Sequence, residues 1–195
     1  MNTPNQDRRS QRARQAILDA ALEICREKGL GKASMEEIAR RAGVGKQTIY
    51  RWWPSKAAVV QEAINEAAGD VTDFPDTGDV RADLRTQMTA VVTLLANPRF
   101  TPFTSLIGVA QDDPEAARAF LEGIVEPRVQ ACRERLRRAQ EQGQLRTDAD
   151  LDDVVELLYA PLYYRALLRN RPVAPEQVDE VLKLAFAGLA PVASQ

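Results

Sequence analysis

The stretch from Ser34 to Lys56 constrains the fold more than any other part of the chain, because its pattern predicts two short helices joined by a tight turn. Ser34 can cap the first helix, and Glu37, three residues later, completes a capping-box pattern. The apolar residues that recur on one face of this helix are Met35, Ile38, Ala39 and Ala42. Gly43 then follows, at a position that needs the left-handed backbone conformation, which only glycine adopts without steric cost.

The second helix of this pair exposes a polar first turn. The residues of that turn are Gly45, Lys46, Gln47 and Thr48. Ile49 is the only aliphatic residue facing the core until the aromatic pair Trp52 and Trp53. A basic, polar helix start that takes no part in packing is typical of a helix-turn-helix, whose second helix enters the major groove of DNA.

At these residues the chain resembles a known family. The segment IARRAGVGKQTIYRWWPSK, residues 38–56, resembles the DNA-binding signature of TetR-family transcriptional regulators, whose usual pattern is close to IAxxAGVSxxTLYxYFxSK. Two positions depart from that pattern. Gly45 stands where serine or threonine is frequent, which removes a capping or phosphate contact, and Trp53 stands where phenylalanine is usual.

We expect the DNA contacts of this motif to divide into base-reading and phosphate-binding residues. Lys46 suits guanine acceptors, Gln47 suits adenine, and the methyl group of Thr48 can meet thymine. The resemblance implies that the phosphate backbone is held by Ser34, Tyr50, Trp52 and Lys56. For Trp52, core packing beside Trp53 is an alternative. The predicted DNA-binding set is therefore Ser34, Gly45, Lys46, Gln47, Thr48, Tyr50, Trp52 and Lys56.

The formal net charge of −2 conceals a strong asymmetry along the chain. Residues 1–60 carry twelve Lys and Arg against six Asp and Glu, whereas the remaining residues carry fourteen basic and twenty-two acidic side chains. A basic end on an acidic body is typical of a chain that docks on phosphates with one part. The charges alone are also compatible with an accidental uneven distribution along the chain.

The composition argues against metal binding, most catalysis and membrane insertion. The chain contains no histidine, which removes the commonest general base and the commonest metal ligand. Cys25 and Cys132 lie far apart without CxxC spacing, which favours free thiols over a disulfide or a metal site. No apolar run is long enough to span a bilayer, and the first residues lack the apolar segment of a signal peptide. We expect a cytoplasmic protein without metal, cofactor or membrane contact.

The rest of the chain predicts an all-α fold of about nine helices, since apolar residues recur at helical spacing and glycine and proline separate the segments. We predict a disordered basic arm over residues 1–9, with a merely solvated tail as the alternative. The helix-turn-helix domain is predicted over 10–56, a linking helix over 57–69 and a C-terminal domain over 70–195. Within that last domain we expect a long helix with a kink at Pro127.

The C-terminal part resembles the ligand-sensing and dimerisation domain of the same family, on the order of its elements and on stretches such as LIGVAQDDPEAARAF and YAPLYYRALL. The resemblance implies a small-molecule effector of unknown identity. Apolar residues with a few polar tips are typical of a ligand pocket, although each of them can equally be structural core. The candidate lining is Leu84, Met88, Phe103, Leu106, Ile107, Phe120, Ile124, Leu158, Tyr159, Leu162, Tyr163 and Arg165.

The last two predicted helices carry more apolar surface than one neighbour can bury, which predicts pairing with a second copy of the chain. The dimer-interface residues we expect are Val155, Leu158, Leu162, Val178, Leu182, Ala185 and Leu189. A four-helix bundle at a two-fold axis, which is also the family's architecture, places two recognition helices about 34–36 Å apart. The expected partners are thus a near-palindromic double-stranded DNA operator and a second copy of the chain.

The leading hypothesis is a transcriptional repressor that leaves its operator when a small apolar molecule binds the C-terminal domain. A DNA-binding regulator or architectural protein without an effector is the alternative, and a filled core in place of a cavity favours it. An enzyme with an appended DNA-binding domain is disfavoured, because the sequence shows no nucleophile elbow, phosphate loop or metal cluster. A carboxylate-only active site is left open.

Overall fold

The computed structural model describes residues 4–69 and 73–189, with side chains from Arg9 onward, and this part of the chain contains helices and no strands. The prediction of an all-α fold is confirmed. The helices are α1 (Pro4–Lys32), α2 (Met35–Arg41), α3 (Lys46–Trp52), α4 (Lys56–Ala68), α5 (Val80–Ala96), α6 (Thr101–Asp112), α7 (Pro114–Phe120), α8 (Glu126–Glu141), α9 (Leu151–Tyr163) and α10 (Pro175–Leu189). A π-helical turn, Leu121–Val125, joins α7 to α8, so the long helix predicted there is continuous but irregular.

The first helix begins earlier than its apolar pattern indicates. α1 starts at Pro4, so residues 4–9 are helical where the sequence predicts a disordered arm, and residues 1–3 lie outside the described part. Proline is favoured at the first helical position, and the polar residues that follow tolerate a solvated helix. Apolar periodicity is a signal of burial, and the polar residues 4–9 carry no such pattern in the sequence. At the other end, Gly29 has a φ of 78°, which kinks the helix.

Packing divides the chain into two compact units. The first comprises Met1–Ala67 and Pro98–Ile124, and the second comprises Ala68–Asn97 and Val125–Gln195. The segment that holds α6 and α7 therefore groups with the N-terminal residues, whereas the sequence analysis places it in the domain 70–195. The reason is that α6 packs against α1. In addition, the guanidinium of Arg99, just before α6, pairs with Asp19 of α1 at 3.1 Å.

Apolar burial holds the first unit together. Its first four helices bury, among others, Ile17, Leu18, Ile24, Ile38, Ile49, Val59, Val60 and Ile64. Each such side chain contributes about 1.5–3 kcal/mol when fully removed from water. An aromatic cluster extends this core: Phe103 stacks on Phe100 at 5.1 Å between ring centroids and meets Phe120 at 5.7 Å.

The π-helical turn depends on a close contact with α4. Pro127 has no N–H, so the carbonyl of Gly123, four residues earlier, lacks its usual helical donor. The side-chain amide of Asn65 donates to that carbonyl at 2.9 Å instead. A Cβ at position 123 would lie 1.6 Å from Nε2 of Gln61. A side chain at position 123 would therefore displace the flexible end of the Gln61 side chain.

The second unit packs α5, α8, α9 and α10 around one apolar core. The core side chains exposed by at most 1% include Leu84, Met88, Cys132, Leu136, Leu158, Leu162, Val178 and Leu182. On the surface of this unit, Arg85 of α5 pairs with Asp179 of α10 at 2.6 Å.

An ion pair is buried in the second unit. Arg135 of α8 and Asp83 of α5 are 0% and 1% exposed, and their charged groups meet at 2.7 Å. Arg135 Nε also donates to the carbonyl of Pro75, and the Thr77 hydroxyl donates to Asp83 at 2.6 Å. The pair thus fixes the segment that leads into α5. Burial alone would raise the pKa of Asp83, but hydrogen bonds from Thr77 and Arg135 outweigh it and lower the pKa.

We predict that Arg135→Met lowers the free energy of unfolding by about 3–5 kcal/mol, because it leaves the Asp83 carboxylate buried without its counter-ion. Urea unfolding followed by circular dichroism measures this loss. Arg137→Met is the matched control, since Arg137 lies on the same helix and is half exposed. An Arg135→Met variant as stable as the control would contradict the prediction.

Acid should remove the contribution of the same pair. The pKa of Asp83 is lower in the folded state than in the unfolded state, where it is about 3.9. The ionised carboxylate therefore stabilises the fold fully above the unfolded pKa, and this stabilisation is lost as the pH falls through the folded pKa. The difference in unfolding free energy between wild type and Asp83→Asn should therefore be constant from pH 7 to 5 and shrink below about pH 4.

Candidate functional sites

The helix-turn-helix forms as its sequence predicts. Ser34 caps α2, and its Oγ accepts a hydrogen bond from the backbone N–H of Glu37 at 3.2 Å. Gly43 adopts a φ of 67° in the turn, and the N–H of Val44 bonds back to the carbonyl of Ala39 at 3.0 Å. The second half of the predicted capping box is absent, because the Glu37 carboxylate pairs with Lys28.

α3 is anchored by one buried residue and presents its start to solvent. Ile49 is completely buried, Lys46 and Gln47 are exposed, and Thr48 is half-buried. Gly45 precedes the helix with extended backbone and no side-chain cap, in agreement with the loss expected from its departure from the family pattern. This arrangement leaves the three predicted base-reading side chains on the accessible turn.

The two tryptophans at the end of α3 take different positions. Trp53 is buried, and its indole N–H donates to Glu62 of α4 at 2.6 Å. Trp52 is half-buried, meets Trp53 edge to face at 5.4 Å, and has the guanidinium of Arg51 over its ring. Trp53 is thus a packing residue, and Trp52 combines packing with an accessible edge, so neither of its two predicted roles is excluded.

Lys46 forms an ion pair that the sequence analysis missed. Its ammonium lies 2.5 Å from Oε1 of Glu36 on α2 and 5.7 Å from the centroid of the Tyr50 ring. The hydrogen bond with Glu36 raises the pKa of Lys46 and lowers that of Glu36. The two residues are ten positions apart on different helices, so no periodicity could reveal the contact. The outward position of Glu36 on the predicted α2 was the only available signal.

The prediction that Lys56 holds phosphate does not agree with its contacts. The Lys56 ammonium donates to the carbonyls of Gly31 at 3.0 Å and Ala33 at 2.9 Å, where the chain leaves α1. Cations are favoured beside the unpaired carbonyls at a helix C-terminus. Lys56 therefore fastens the start of α4 to the end of α1.

The twelve predicted pocket residues fall into both compact units. Phe103, Leu106, Ile107, Phe120 and Ile124 lie in the first unit, where Phe103 belongs to the aromatic cluster. The other seven lie in the second unit, and four of them, Leu84, Met88, Leu158 and Leu162, are completely buried in its core. Arg165, the predicted fixed charge of the pocket, donates to the carbonyl of Pro172 at 3.0 Å. It therefore stabilises the chain that follows the π-helical turn.

A polar cluster that the sequence analysis only partly identified lies inside the second unit. The hydroxyl of Tyr159 donates to Oε1 of Gln87, which is 5% exposed. Burial raises the pKa of Tyr163, and the nearby charge of Arg128 partly offsets this rise. Burial also raises the pKa of Cys132 to about 12, although the thiol is within hydrogen-bonding reach of Tyr159. Gln87 shares the buried stripe of α5 with Leu84 and Met88, and that spacing could have identified it.

The seven predicted dimer-interface residues are core residues of a single copy. Val155, Leu158, Leu162, Val178, Leu182, Ala185 and Leu189 are all at most 7% exposed within the second unit. The prediction chose the wrong stripe of each helix, because both stripes are apolar and spacing does not say which one faces the core. From α9 to α10, the large apolar side chains that are exposed in the described part of the chain are Leu157 at 50%, Tyr164 at 51%, Leu168 at 75% and Leu184 at 72%.

Comparison with known proteins gives the family. A model of bacterial regulatory proteins of the tetR family matches residues 17–63, and a model of a tetracyclin repressor-like C-terminal domain matches residues 74–185. The chain belongs to the TetR family. It is therefore a DNA-binding transcriptional regulator of the helix-turn-helix type, and the family resemblance of its sequence is confirmed.

Individual relatives support this placement along nearly the whole regulator. The HTH-type transcriptional regulator YdeS of Bacillus subtilis is 33% identical over 181 residues, which cover 93% of this chain and 91% of YdeS. The crystal structure of the TetR-family regulator SCO0332 is 37% identical, with a TM-score of 0.76 over 92% of this chain and 99% of that one. The flavonoid-responsive regulator FrrA, 22% identical, shares the fold with a TM-score of 0.69, over 94% of this chain and all of FrrA.

Two further features concern the described residues of the regulator. None of its helices there is long and apolar enough to cross a membrane. No group of three or more His, Cys, Asp or Glu side chains in that part of the chain is arranged to hold a metal ion.

We predict that Lys56→Met lowers the free energy of unfolding by about 1–3 kcal/mol, because two charge-assisted hydrogen bonds to backbone carbonyls are lost. The salt dependence of DNA binding should stay unchanged, since this ammonium is already engaged within the protein. Thermal unfolding and fluorescence anisotropy at several salt concentrations measure the two effects. Lys32→Met, at an exposed lysine of α1, is the control. A flattened salt slope with unchanged stability would restore the phosphate role.

Proposed function

We propose that this regulator is a repressor that binds a near-palindromic operator as a homodimer and dissociates when a small, mostly apolar molecule occupies its C-terminal domain. The observation that carries the proposal is the exposed start of α3. The side chains of this first turn can bind the edges of DNA bases. The buried Ile49 anchors the helix that carries them. The repressor-like C-terminal family model supports the direction of regulation.

The base contacts assigned to Lys46, Gln47 and Thr48 are part of this proposal, and so are the supporting contacts of Ser34, Gly45, Tyr50 and Trp52. Tyr50 supports it because its ring is 44% exposed on the same helix. The Ser34 hydroxyl accepts from Glu37 and keeps its own hydrogen for a phosphate oxygen. Lys56 is omitted, since its ammonium is bound to α1.

The homodimer is proposed on the exposed apolar face of the last two helices. Leu157, Pro161, Tyr164 and Leu168 recur every three or four residues along α9 and the π-helical turn after it, so they share one face. On α10, exposed Leu184 is followed by Ala187 and Gly188, whose small size permits close helix approach. A two-fold partner would cover both surfaces.

We predict that Leu157→Glu combined with Leu184→Glu converts a dimer to a monomer and weakens operator binding at least tenfold, because charges replace the apolar centre of the interface. Sedimentation at micromolar concentration measures the oligomeric state, and circular dichroism checks that helicity is kept. Leu121→Glu is the matched control, since Leu121 is equally exposed but lies in the first unit. A double variant that remains dimeric would sink this interface.

The effector site is proposed at the polar cluster of Gln87, Cys132, Tyr159 and Tyr163 with Arg128 beside it. Such a cluster among buried aliphatic side chains supplies the few directional groups that a mostly apolar ligand needs. Release follows if the ligand prefers a conformation in which the two α3 helices no longer match the operator. The fold neighbour FrrA, named flavonoid-responsive, supports neutral aromatic compounds as first probes.

We predict that neutral aromatic probes, flavonoids among them, raise the melting temperature and release the operator. A ligand at a hundred times its Kd stabilises the folded state by about 2.7 kcal/mol. Tyr159→Phe, which removes the hydroxyl bonded to Gln87, should reduce the thermal shift while leaving DNA binding of the free protein intact. Thr86→Val is the control, because it removes an exposed hydroxyl of α5 that belongs neither to the proposed site nor to the proposed interface. Probes that stabilise the protein without releasing DNA would contradict the coupling.

A regulator without an effector is the second candidate, and one observation favours it. Leu84, Met88, Leu158 and Leu162 are completely buried and pack in one continuous core. A screen in which no probe changes the melting temperature would support this alternative.

A further inference from the structure

The exposed apolar face of α9 carries opposite charges at its two ends. Asp153 and Glu156 lie at its start, and Arg169 and Arg171 follow its end. All four side chains are exposed, and none of them has an ion-pair or side-chain hydrogen-bond partner within the described part of the chain. These charges are therefore available to the molecule that covers the face.

The acids of α10 do not cancel the basic end of this face. Asp179 pairs with Arg85 at 2.6 Å, and Glu180 pairs with Lys183 at 3.6 Å. Among the acids in the first turns of α10, Glu176 is then the one left unpaired within the described residues. The basic end therefore keeps a surplus of positive charge.

The acidic end of the face likewise keeps its charge. Two arginines near the start of α9 are engaged by other carboxylates, since Arg133 pairs with Asp152 at 3.2 Å and Arg146 pairs with Asp148 at 2.6 Å. Neither of these arginines neutralises the two acids at the start of the face.

The apolar side chains of the face are placed symmetrically along the chain. Leu157 and Leu168 are equally far from the midpoint between residues 162 and 163, and so are Pro161 and Tyr164. Around a two-fold axis at that midpoint, an antiparallel second copy would place Leu157 of one chain against Leu168 of the other. The same rotation places the acidic start of each helix beside the basic end of its partner.

Parallel pairing of the same two helices would bring like charges together instead. Glu156 and Arg169 are thirteen residues apart, which is about 20 Å along a helix. This separation is about twice the Debye length in 0.1 M salt. Opposite charges at the far end therefore cannot offset the repulsion between like charges at the near end.

We propose that the α9 helices of the dimer pair antiparallel, and that the charges at the two ends of the apolar face make this pairing selective for a second copy of the same chain. The inference rests on the proposed function, because it takes the apolar face as the dimer interface. A related regulator with another order of charges would meet like charges at one end or at both, which disfavours mixed dimers.

The test reverses the charges at one end of the face and measures dimerisation by sedimentation velocity. Asp153→Lys with Glu156→Lys makes both ends basic, and Arg169→Glu with Arg171→Glu makes both ends acidic. Each double variant alone should dimerise at least about tenfold more weakly than the wild type, since attraction between the ends becomes repulsion. An equimolar mixture of the two should form dimers with a Kd within about threefold of the wild-type value, because acidic ends again meet basic ones.

Salt and a matched control separate the contact from the general effect of charge. The difference between the wild type and each double variant should shrink as salt rises from about 0.1 M to 1 M, because salt screens attraction and repulsion alike. Arg26→Glu with Arg118→Glu changes the net charge as much as the acidic double variant does, at exposed positions of the first unit. This control should leave dimerisation unchanged.

Two results would overturn the inference. Acids at the start of a helix and bases at its end also suit the helix dipole within one chain. That role would weaken each double variant without recovery in the mixture. Double variants that dimerise as tightly as the wild type are the other contrary result, and parallel pairing predicts them. Circular dichroism checks helicity, and if a double variant unfolds, the single variants Glu156→Lys and Arg169→Glu take its place in the same mixing experiment.

The same measurements distinguish failure of this inference from failure of the proposed function. A wild-type protein that stays monomeric at all concentrations would remove the homodimer, and the antiparallel pairing with it. A wild-type dimer no tighter than the double variants would keep the homodimer and remove the antiparallel pairing alone.

Discussion

The helix proposed to read DNA depends on contacts outside itself, because α3 has only seven residues and isolated helices of that length are unstable in water. Ile49 supplies its one fully buried side chain. At its end, Trp53 donates to Glu62 of α4, and Glu62 also accepts from Arg14 of α1 at 2.8 Å. One carboxylate thus joins the end of α3 to two longer helices. The recognition turn remains free for DNA because the opposite end of the helix carries the packing.

In the second unit, buried polar contacts hold the segment before α5, which an apolar core alone would not fix. Arg135 and Asp83 are buried together, and further hydrogen bonds join Arg135 to the carbonyl of Pro75 and Asp83 to the hydroxyl of Thr77. Replacing such a pair by apolar residues of similar size often costs nothing in stability. An apolar pair, however, could not hold the carbonyl and hydroxyl of the segment before α5. The pair therefore defines the path of that segment as well as contributing to the core.

Spacing in the sequence predicted the helices and the turn at Gly43, because periodicity and a left-handed glycine are local properties. It failed where two faces of a helix are equally apolar: Leu158 and Leu182 were assigned to a partner and lie in the core. Nor could it show the contacts of Lys56 with Gly31 and Ala33, since a motif gives the position of a side chain and not the carbonyls that tertiary structure places beside it. Local reasoning equally cannot reveal the hydrogen bond from Asn65 to the carbonyl of Gly123, which Pro127 leaves without its helical donor. This bond joins residues 58 positions apart.

The same internal contacts change the meaning of the basic surplus in the first sixty residues. Lys28 pairs with Glu37, Arg41 with Glu27, and Arg14 with Glu62 and Glu66, while Lys56 binds carbonyls. A cation that must leave an internal partner releases few counterions on binding DNA, so it adds little to the salt dependence of affinity. We therefore expect exposed arginines such as Arg40 and Arg51 to account for more of the electrostatic part of DNA binding. A count of charges in the sequence therefore overestimates the number of cations that are free to bind phosphate, because several of them already have partners within the protein.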